Sequence, residues 1–519
     1  MYLNSFYQYE TVINWPLTVH ASRPLYGGQA TRPFIYLKLG APRTVDFIRT
    51  RFSRASMPDK FFTCDIAGCV LPSIRGLGPC ERCNQQFCLT HCSPPSHTCE
   101  DTLLTDDEFE AKIHVEVKNL RAKINDSAVC ERASELNGGL KCEIDHPPPW
   151  GRGALMGCAN YHARIRFPEN GSVWLIRVPR LNSSIPQSLI DYLIRSEYAT
   201  LKFLETTKVP APRAFDYGIA GDKNNKVGVS YIFMEEMAGR TWNLQGPHGK
   251  RSADDKDRER VWNGLADILI ELKRHPFSQA GSLLPSSLSS KPLVSAVASE
   301  RFLVLSPSGP FSTASDYYTS FVEQNMALIA DGQLFTSFPV NAYLVFLFLK
   351  SQIQHLPSKP NRNFETTEQF YIKHVDDKGD HLMVDDELNI VGIIDWQMAR
   401  VVPASEAFGP SLVTAEMGDI YNGLSSLTVH DHALARFLKA KGEDELADIM
   451  SKDERLRRFF FGLDVGLSWN ETLLLIRGIW AAFGIDKNTD WKVWKTDMLE
   501  QHVHDERLKK ILDSFGAGP

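Results

Sequence analysis

The chain has 519 residues, 43% of them hydrophobic and 23% charged, which excludes collagen-like, coiled-coil and wholly disordered classes and, at about 150 residues per compact unit, predicts three to four units. With 57 Lys and Arg against 63 Asp and Glu the net charge is −6, so no global electrostatic grip on nucleic acid or anionic lipid is indicated. Residues 1–60 mix aromatic and β-branched residues, as in FIYLKL, without a sustained period, and are left unassigned. The opening MYLNSFYQYETVINW lacks the basic, apolar and small-residue succession of a secretion signal. The basic residues between Arg43 and Lys60 read as a solvated linker.

Seven of the ten cysteines fall between Cys64 and Cys99. With two histidines they run C-x4-C-x10-C-x2-C-x4-C-x2-H-x5-H-x-C, through Cys64, Cys69, Cys80, Cys83, Cys88, His91, His97 and Cys99. Eight nitrogen and sulfur ligands make two tetrahedral zinc sites, because close pairs at these spacings let one turn present two ligands to one ion. A segment this short cannot bury a stabilising core, so metal supplies the folding free energy. A disulfide knot would need an oxidising compartment and would leave both histidines idle. The reading is therefore two zinc ions in an intracellular, cytoplasmic or nuclear protein, with Cys92 outside both sites.

The pattern resembles the AN-one-type zinc finger over residues 61–100. That resemblance implies one ion held by Cys64, Cys69, Cys88 and His91 and a second held by Cys80, Cys83, His97 and Cys99. It also implies an interaction module for ubiquitin- or stress-related proteins, not a reader of nucleic acid.

From Asp101 to Glu135, Phe109, Ile113, Val117 and Leu120 recur at spacings of three and four, which predicts an amphipathic helix. It is expected to form a helical linker over 101–150 that leads away from the cysteines and ends at the helix-breaking HPPPW. Beyond it, ALMGCANYHARIRF and SVWLIRVPR alternate around the turn PENG and predict a hairpin. A helix follows with Leu189, Leu193, Tyr198, Leu201 and Leu204 on one face, then the strand VSYIFMEEM, then a helix striped by Trp262, Leu265, Ile268, Leu269 and Leu272. The stretch Ala342 to Leu349 is apolar but far shorter than the roughly 20 residues of a membrane span, so it predicts a buried helix. The strands HLMV and IVGIID interrupt the later helices. The fold class is α+β: a β-rich small lobe over 151–240 and a helical large lobe over 241–519, preceded by the double-zinc finger.

The densest chemistry lies in FYIKHVDDKGDHLMVDDELNIVGIIDWQMAR. Folding its two strands about a midpoint between Glu387 and Leu388 sets Asp395 opposite Asp380 and His381, with Asp376 and Asp377 just before the first strand. Like charges so close call for a cation, and oxygen-rich ligation favours magnesium with an anionic ligand. Asp395 ends an apolar strand, where an unpaired carboxylate would be costly. Asp385, Asp386 and Glu387 read as a solvated turn.

This segment resembles the catalytic loop of the aminoglycoside phosphotransferases and, more distantly, of the protein kinases, over about residues 151–480. The resemblance implies a bilobal kinase-like fold that uses ATP with magnesium and acts on a small-molecule or protein hydroxyl. It implies that Asp376, following His374, accepts the hydroxyl proton, that Lys378 stands near the γ-phosphate, and that Asp395 holds magnesium, with Asp380 or His381 as a second ligand. In the small lobe it implies Gly157 over the phosphates, Arg177 in the place of the phosphate-binding lysine with Glu197 as its partner, and an adenine hinge at Glu235 and Met237. Two departures, Arg177 for lysine and His381 for asparagine, support an alternative: a catalytically silent kinase-like scaffold whose finger recruits partners.

Overall fold

The computed structural model describes residues 63–75, 79–99, 104–157, 159–180, 187–286, 291–297, 308–356 and 368–516. The whole of the unassigned segment 1–60, with its basic stretch, lies outside the described residues, as does Cys158.

The expected helix over 101–135 is two helices, α1 (Asp106–Arg121) and α2 (Asp126–Leu136). Thr105 and Glu108 form a reciprocal capping box at the start of α1, and the Asn125 side chain caps α2. The pair does not lead away from the rest of the chain. Ile113, Val117, Leu120, Val129 and Ala133 are buried in one core with Ala163, Ile165, Phe167 and Ile176 of the following sheet. The stripe that predicted an amphipathic helix is thus the outer cover of the small lobe.

That sheet has five antiparallel strands in the order β1-β2-β3-β5-β4: β1 (Glu143–Asp145), β2 (Asn160–Arg166), β3 (Val173–Pro179), β4 (Ala214–Gly218) and β5 (Tyr231–Glu235). The hairpin read from PENG is β2–β3, in a register that sets His162 opposite Arg177. Helix α3 (Gln187–Leu204) buries Leu189, Leu193, Leu201 and Leu204 as its apolar stripe requires.

The chain then passes through β6 (Arg240–Thr241) into α4 (Asp255–Lys273) and the short pair β7 (Ser282–Leu284) and β8 (Leu293–Ser295). Next come α5 (Ala314–Ala330) and α6 (Pro339–Gln352), whose residues Pro339 to Leu349 are all buried. An apolar helix with no polar face belongs inside a large lobe, and no helix among the described residues is long and apolar enough to cross a membrane. Strands β9 (Phe370–Lys373), β10 (Leu382–Val384), β11 (Ile390–Ile393) and β12 (Arg400–Pro403) frame the carboxylate segment, and further helices from Ala404–Phe408 to Glu506–Phe515 complete the lobe. β10 pairs with β11 and β6, and β9 with β12. The architecture is α+β, with the carboxylate hairpin under the sheet-bearing lobe.

Candidate functional site between the lobes

The register expected of the carboxylate hairpin is found at its base: Leu382 faces Ile393, and Ile394 N–H donates to His381 O at 3.0 Å. Asp395 follows at the end of β11 in a left-handed conformation (φ 67°, ψ 53°), which costs a non-glycine residue of order 1 kcal/mol or more. What holds it there is Arg177. The guanidinium reaches from β3 across to the large lobe, with Nη2 2.5 Å from Asp395 Oδ1, and its Nε lies 3.2 Å from Glu197 Oε2 of α3. Arg177 and Glu197 are buried, whereas the Asp395 side chain is 44% exposed, open to the cleft.

The charges are divided unevenly. Burial works against the Asp395 carboxylate, but Arg177 above all, with His374, outweighs it and holds its pKa below the usual carboxylate value. Glu197, farther from the guanidinium, is pushed by burial up to about 7 despite Arg177. Asp376, on the loop after β9, is pushed up by burial, with Lys378 opposing and Asp380 and Asp395 adding to the rise. Lys378 Nζ stands 3.6 Å from Asp376 Oδ1 and 3.3 Å from Asp380 Oδ2, so one ammonium serves two carboxylates.

His374 is buried. Its Nε2 donates to Ile394 O at 2.9 Å, and its ring stacks on His381 at 4.2 Å and meets Trp396 edge-on at 5.0 Å. It ties the Asp376 loop to the strand that ends in Asp395. His381 Nδ1 accepts the Gly379 N–H at 3.4 Å, and burial drives its pKa well below the ordinary value. Among the described residues, no cluster of three potential ligands includes Asp395, Asp380 and His381. The backbone juxtaposition read from the hairpin holds, but the three side chains do not converge into one cation cage, because Asp380 turns to Lys378 and His381 to His374. Of the three, Asp395 has the most exposed side chain at 44%.

In the small lobe Gly157 is exposed, and a Cβ added there would meet nothing within 4 Å. Its carbonyl receives Arg180 Nη1 at 3.1 Å. Glu235 pairs with Arg213 at 3.2 Å. Met237 lies over β11, where a Cβ on Gly392 would come within 2.8 Å of the Met237 Cε, so the segment after β5 rests on the strand leading to Asp395. Three site residues have no counterpart in the sequence reading. Gln397 Oε1 accepts from Asn160 Nδ2 at 2.8 Å and from Arg177 Nη2 at 3.2 Å, and His162 lies beside Arg177 with its Nδ1 donating to Leu155 O at 3.1 Å. Burial and Arg177 lower the His162 pKa to about 4. Only the β2–β3 register and the lobe packing reveal these three.

The eight cysteine and histidine ligands fall into two groups, Cys64, Cys69, Cys88 and His91, and Cys80, Cys83, His97 and Cys99, each with its ligand atoms within 4.8 Å of one another. This is the partition expected from the finger resemblance. Cys69 Sγ and Cys88 Sγ lie 3.8 Å apart, His91 Nδ1 lies 3.4 Å from the sulfurs of Cys64 and Cys88, and His97 Nε2 lies 3.8 Å from Cys83 Sγ. Tetrahedral zinc with Zn–S of about 2.3 Å requires S···S edges of about 3.8 Å and S···N edges of about 3.6 Å. The donor set therefore fits such an ion. Cys92 belongs to neither group, but its carbonyl lies 3.3 Å from His97 Nδ1 and so orients that ring. No disulfide forms among the described cysteines.

A small lobe built on an antiparallel sheet, a buried arginine–glutamate pair joining strand to helix, and an aspartate-bearing loop and hairpin below make up one site between the lobes. Residues 191–419 match the model of the phosphotransferase enzyme family, from α3 through the carboxylate hairpin to Asp419. No zinc-finger family matches the N-terminal region. Among solved structures the chain is similar to a macrolide 2′-phosphotransferase type I (13% identity over 76% of this chain and 99% of that one, TM-score 0.34) and to a Plasmodium vivax ethanolamine kinase (12%, 71% and 84%, TM-score 0.36). A third similar structure is the amicoumacin kinase hAmiN in complex with AMP-PNP and Ca2+ (12%, 78% and 97%, TM-score 0.33). TM-scores this low add nothing on chemistry. No curated protein matches.

Proposed function

We propose that the bilobal part of the chain is an ATP-dependent phosphotransferase acting on a hydroxyl group, and that the segment before it holds two zinc ions. The observation that carries the first reading is the opposed ionisation of two carboxylates in one cleft: Asp395 is held charged by Arg177, while Asp376 is pushed up beside Lys378. Environments that drive two carboxyls apart mark a division of labour. Asp376 accepts the proton of the acceptor hydroxyl as its oxygen attacks the γ-phosphorus and the bond to the ADP oxygen breaks. Lys378 and Arg177 offset charge on the transferring group. Magnesium bound with ATP would supply positive charge to the phosphates, and Asp395 would hold it. The finger would engage a ubiquitin- or stress-related protein, for which its exposed Val70 and Leu71 offer apolar surface.

A silent, nucleotide-binding scaffold is the second reading. It is favoured by His381, whose buried ring takes the place of an amide ligand and offers no free oxygen. Labelled ATP with magnesium and a pool of hydroxyl-bearing metabolites separates the two. Asp376→Asn is expected to keep ATP binding in calorimetry and lose transfer by about 100-fold or more, whereas Asp395→Ala loses both. Wild-type binding without any transfer or hydrolysis would establish the scaffold.

A further inference from the structure

The finger touches both lobes. Arg75, in the loop between the ligands Cys69 and Cys80, donates its backbone N–H to Gln333 O and its Nε to Gln333 Oε1, each at 2.8 Å. Gln333 follows α5 in the large lobe and is 4% exposed, and beside it a Cβ at Gly332 would lie 4.0 Å from Leu89 of the finger. On the opposite side, Lys112 of α1 donates to Glu81 O at 2.8 Å, and Arg82 pairs with Glu108 at 3.5 Å. Helix α1 is part of the small-lobe core. Its Glu116 clasps Arg180 in a forked pair at 2.6 and 2.7 Å, and Arg180 in turn holds the Gly157 carbonyl.

We propose that the finger is a metal-dependent brace that fixes the small lobe to the large one and so sets the opening of the cleft between them. Glu81 and Arg82 lie between the paired ligands Cys80 and Cys83, and the Arg75 loop runs from a ligand of one cluster to a ligand of the other. The contacts to both lobes are therefore made by loops whose shape depends on the two bound ions, since a segment of this size has little core of its own. From the Glu81 loop the connection continues through α1, Glu116 and Arg180 to the turn at Gly157, and from the Arg75 loop it ends on the large lobe. The brace stands whether or not the cleft transfers phosphate. Its effect on nucleotide rests on the phosphotransferase reading.

Amide hydrogen exchange on the full chain tests the brace without nucleotide. Three states are compared: metal-loaded wild type, chelator-stripped wild type, and metal-loaded Gln333→Ala with Lys112→Ala, two substitutions outside the finger. The double variant should keep two metal ions per chain and yet exchange about tenfold faster in residues 160–179 and 390–399, as the stripped chain does. Unchanged exchange in those segments of the double variant overturns the proposal, as does acceleration confined to residues 63–99 in the stripped chain. If the stripped chain aggregates, the double variant alone decides.

Discussion

Arg177 is shared between two acids, and the residues around it respond to that sharing. His162, opposite it on β2, stays neutral in the fold because burial and the neighbouring guanidinium both disfavour a second positive charge, which lowers its pKa from 6.5 to about 4. The unfolded chain binds this proton near pH 6.5 and the folded chain only near pH 4, so His162 takes stability away as pH falls through that window. His162→Gln should remove this slope, and the wild-type minus variant stability difference should shift by on the order of 2 kcal/mol between pH 7 and pH 4 in denaturant titrations. A flat difference would mean that Arg177 and the surrounding fold do not disfavour the protonated His162 ring. Glu197, raised to about 7, acts in the opposite sense, so only the difference profile isolates the histidine. Asp395 was legible in the sequence because a carboxylate ending GIID needs a cation. The cation it meets in the structure is Arg177, 218 positions away, which hairpin geometry alone could not reveal.

At the scale of elements, periodicity read the β2–β3 hairpin and the helices α3 and α4, but it joined α1 and α2 into one helix and did not say where they pack. The spacing of Phe109, Ile113, Val117 and Leu120 states that one face is buried without naming what buries it, and the residues that do so, Ala163, Ile165 and Ile176 of β2 and β3, come only after a second helix and β1. Leu120 is 1% exposed against that sheet, so Leu120→Ala should cost about 2–5 kcal/mol in chemical denaturation of the lobes. A cost below about 0.5 kcal/mol would return α1 to the role of a linker. In the finger, spacing marked eight ligands for two ions, whereas their division into two clusters followed from the resemblance to the AN-one-type zinc finger, and the two groups in the structure match that division. Cys80→Ser should release one zinc per chain and leave Cys64, Cys69, Cys88 and His91 holding the other, as read by metal analysis of the purified full chain. Loss of both ions would show that the clusters form as one unit. The carboxylate hairpin was legible in register, but the turn of Asp380 toward Lys378 depends on side-chain packing that no spacing encodes.

For the whole molecule the decisive feature is how the lobes meet across the cleft. Two small-lobe side chains, Asn160 and Arg177, reach to Gln397 and Asp395, two positions apart just beyond β11. Arg177 with Asp395 is a charged contact that a bound cation would compete for, whereas Asn160 with Gln397 is neutral and would persist when the charges rearrange. Gln397 therefore acts as a latch that keeps Arg177 aimed at the cleft, since its Oε1 accepts from Asn160 and Arg177 together. Removing it leaves the buried Asn160 amide without this acceptor, at a cost of about 1–3 kcal/mol. Part of that cost should fall on the closed arrangement of the lobes. Gln397→Ala is expected to weaken magnesium–ATP binding about 5- to 10-fold in calorimetry while the chain remains folded, and Gln397→Glu, which keeps both acceptor contacts and adds a charge partner for Arg177, should restore most of the loss. Equal weakening in both variants would show that the latch does not orient Arg177, and unchanged binding in both would show that the lobes are held together elsewhere.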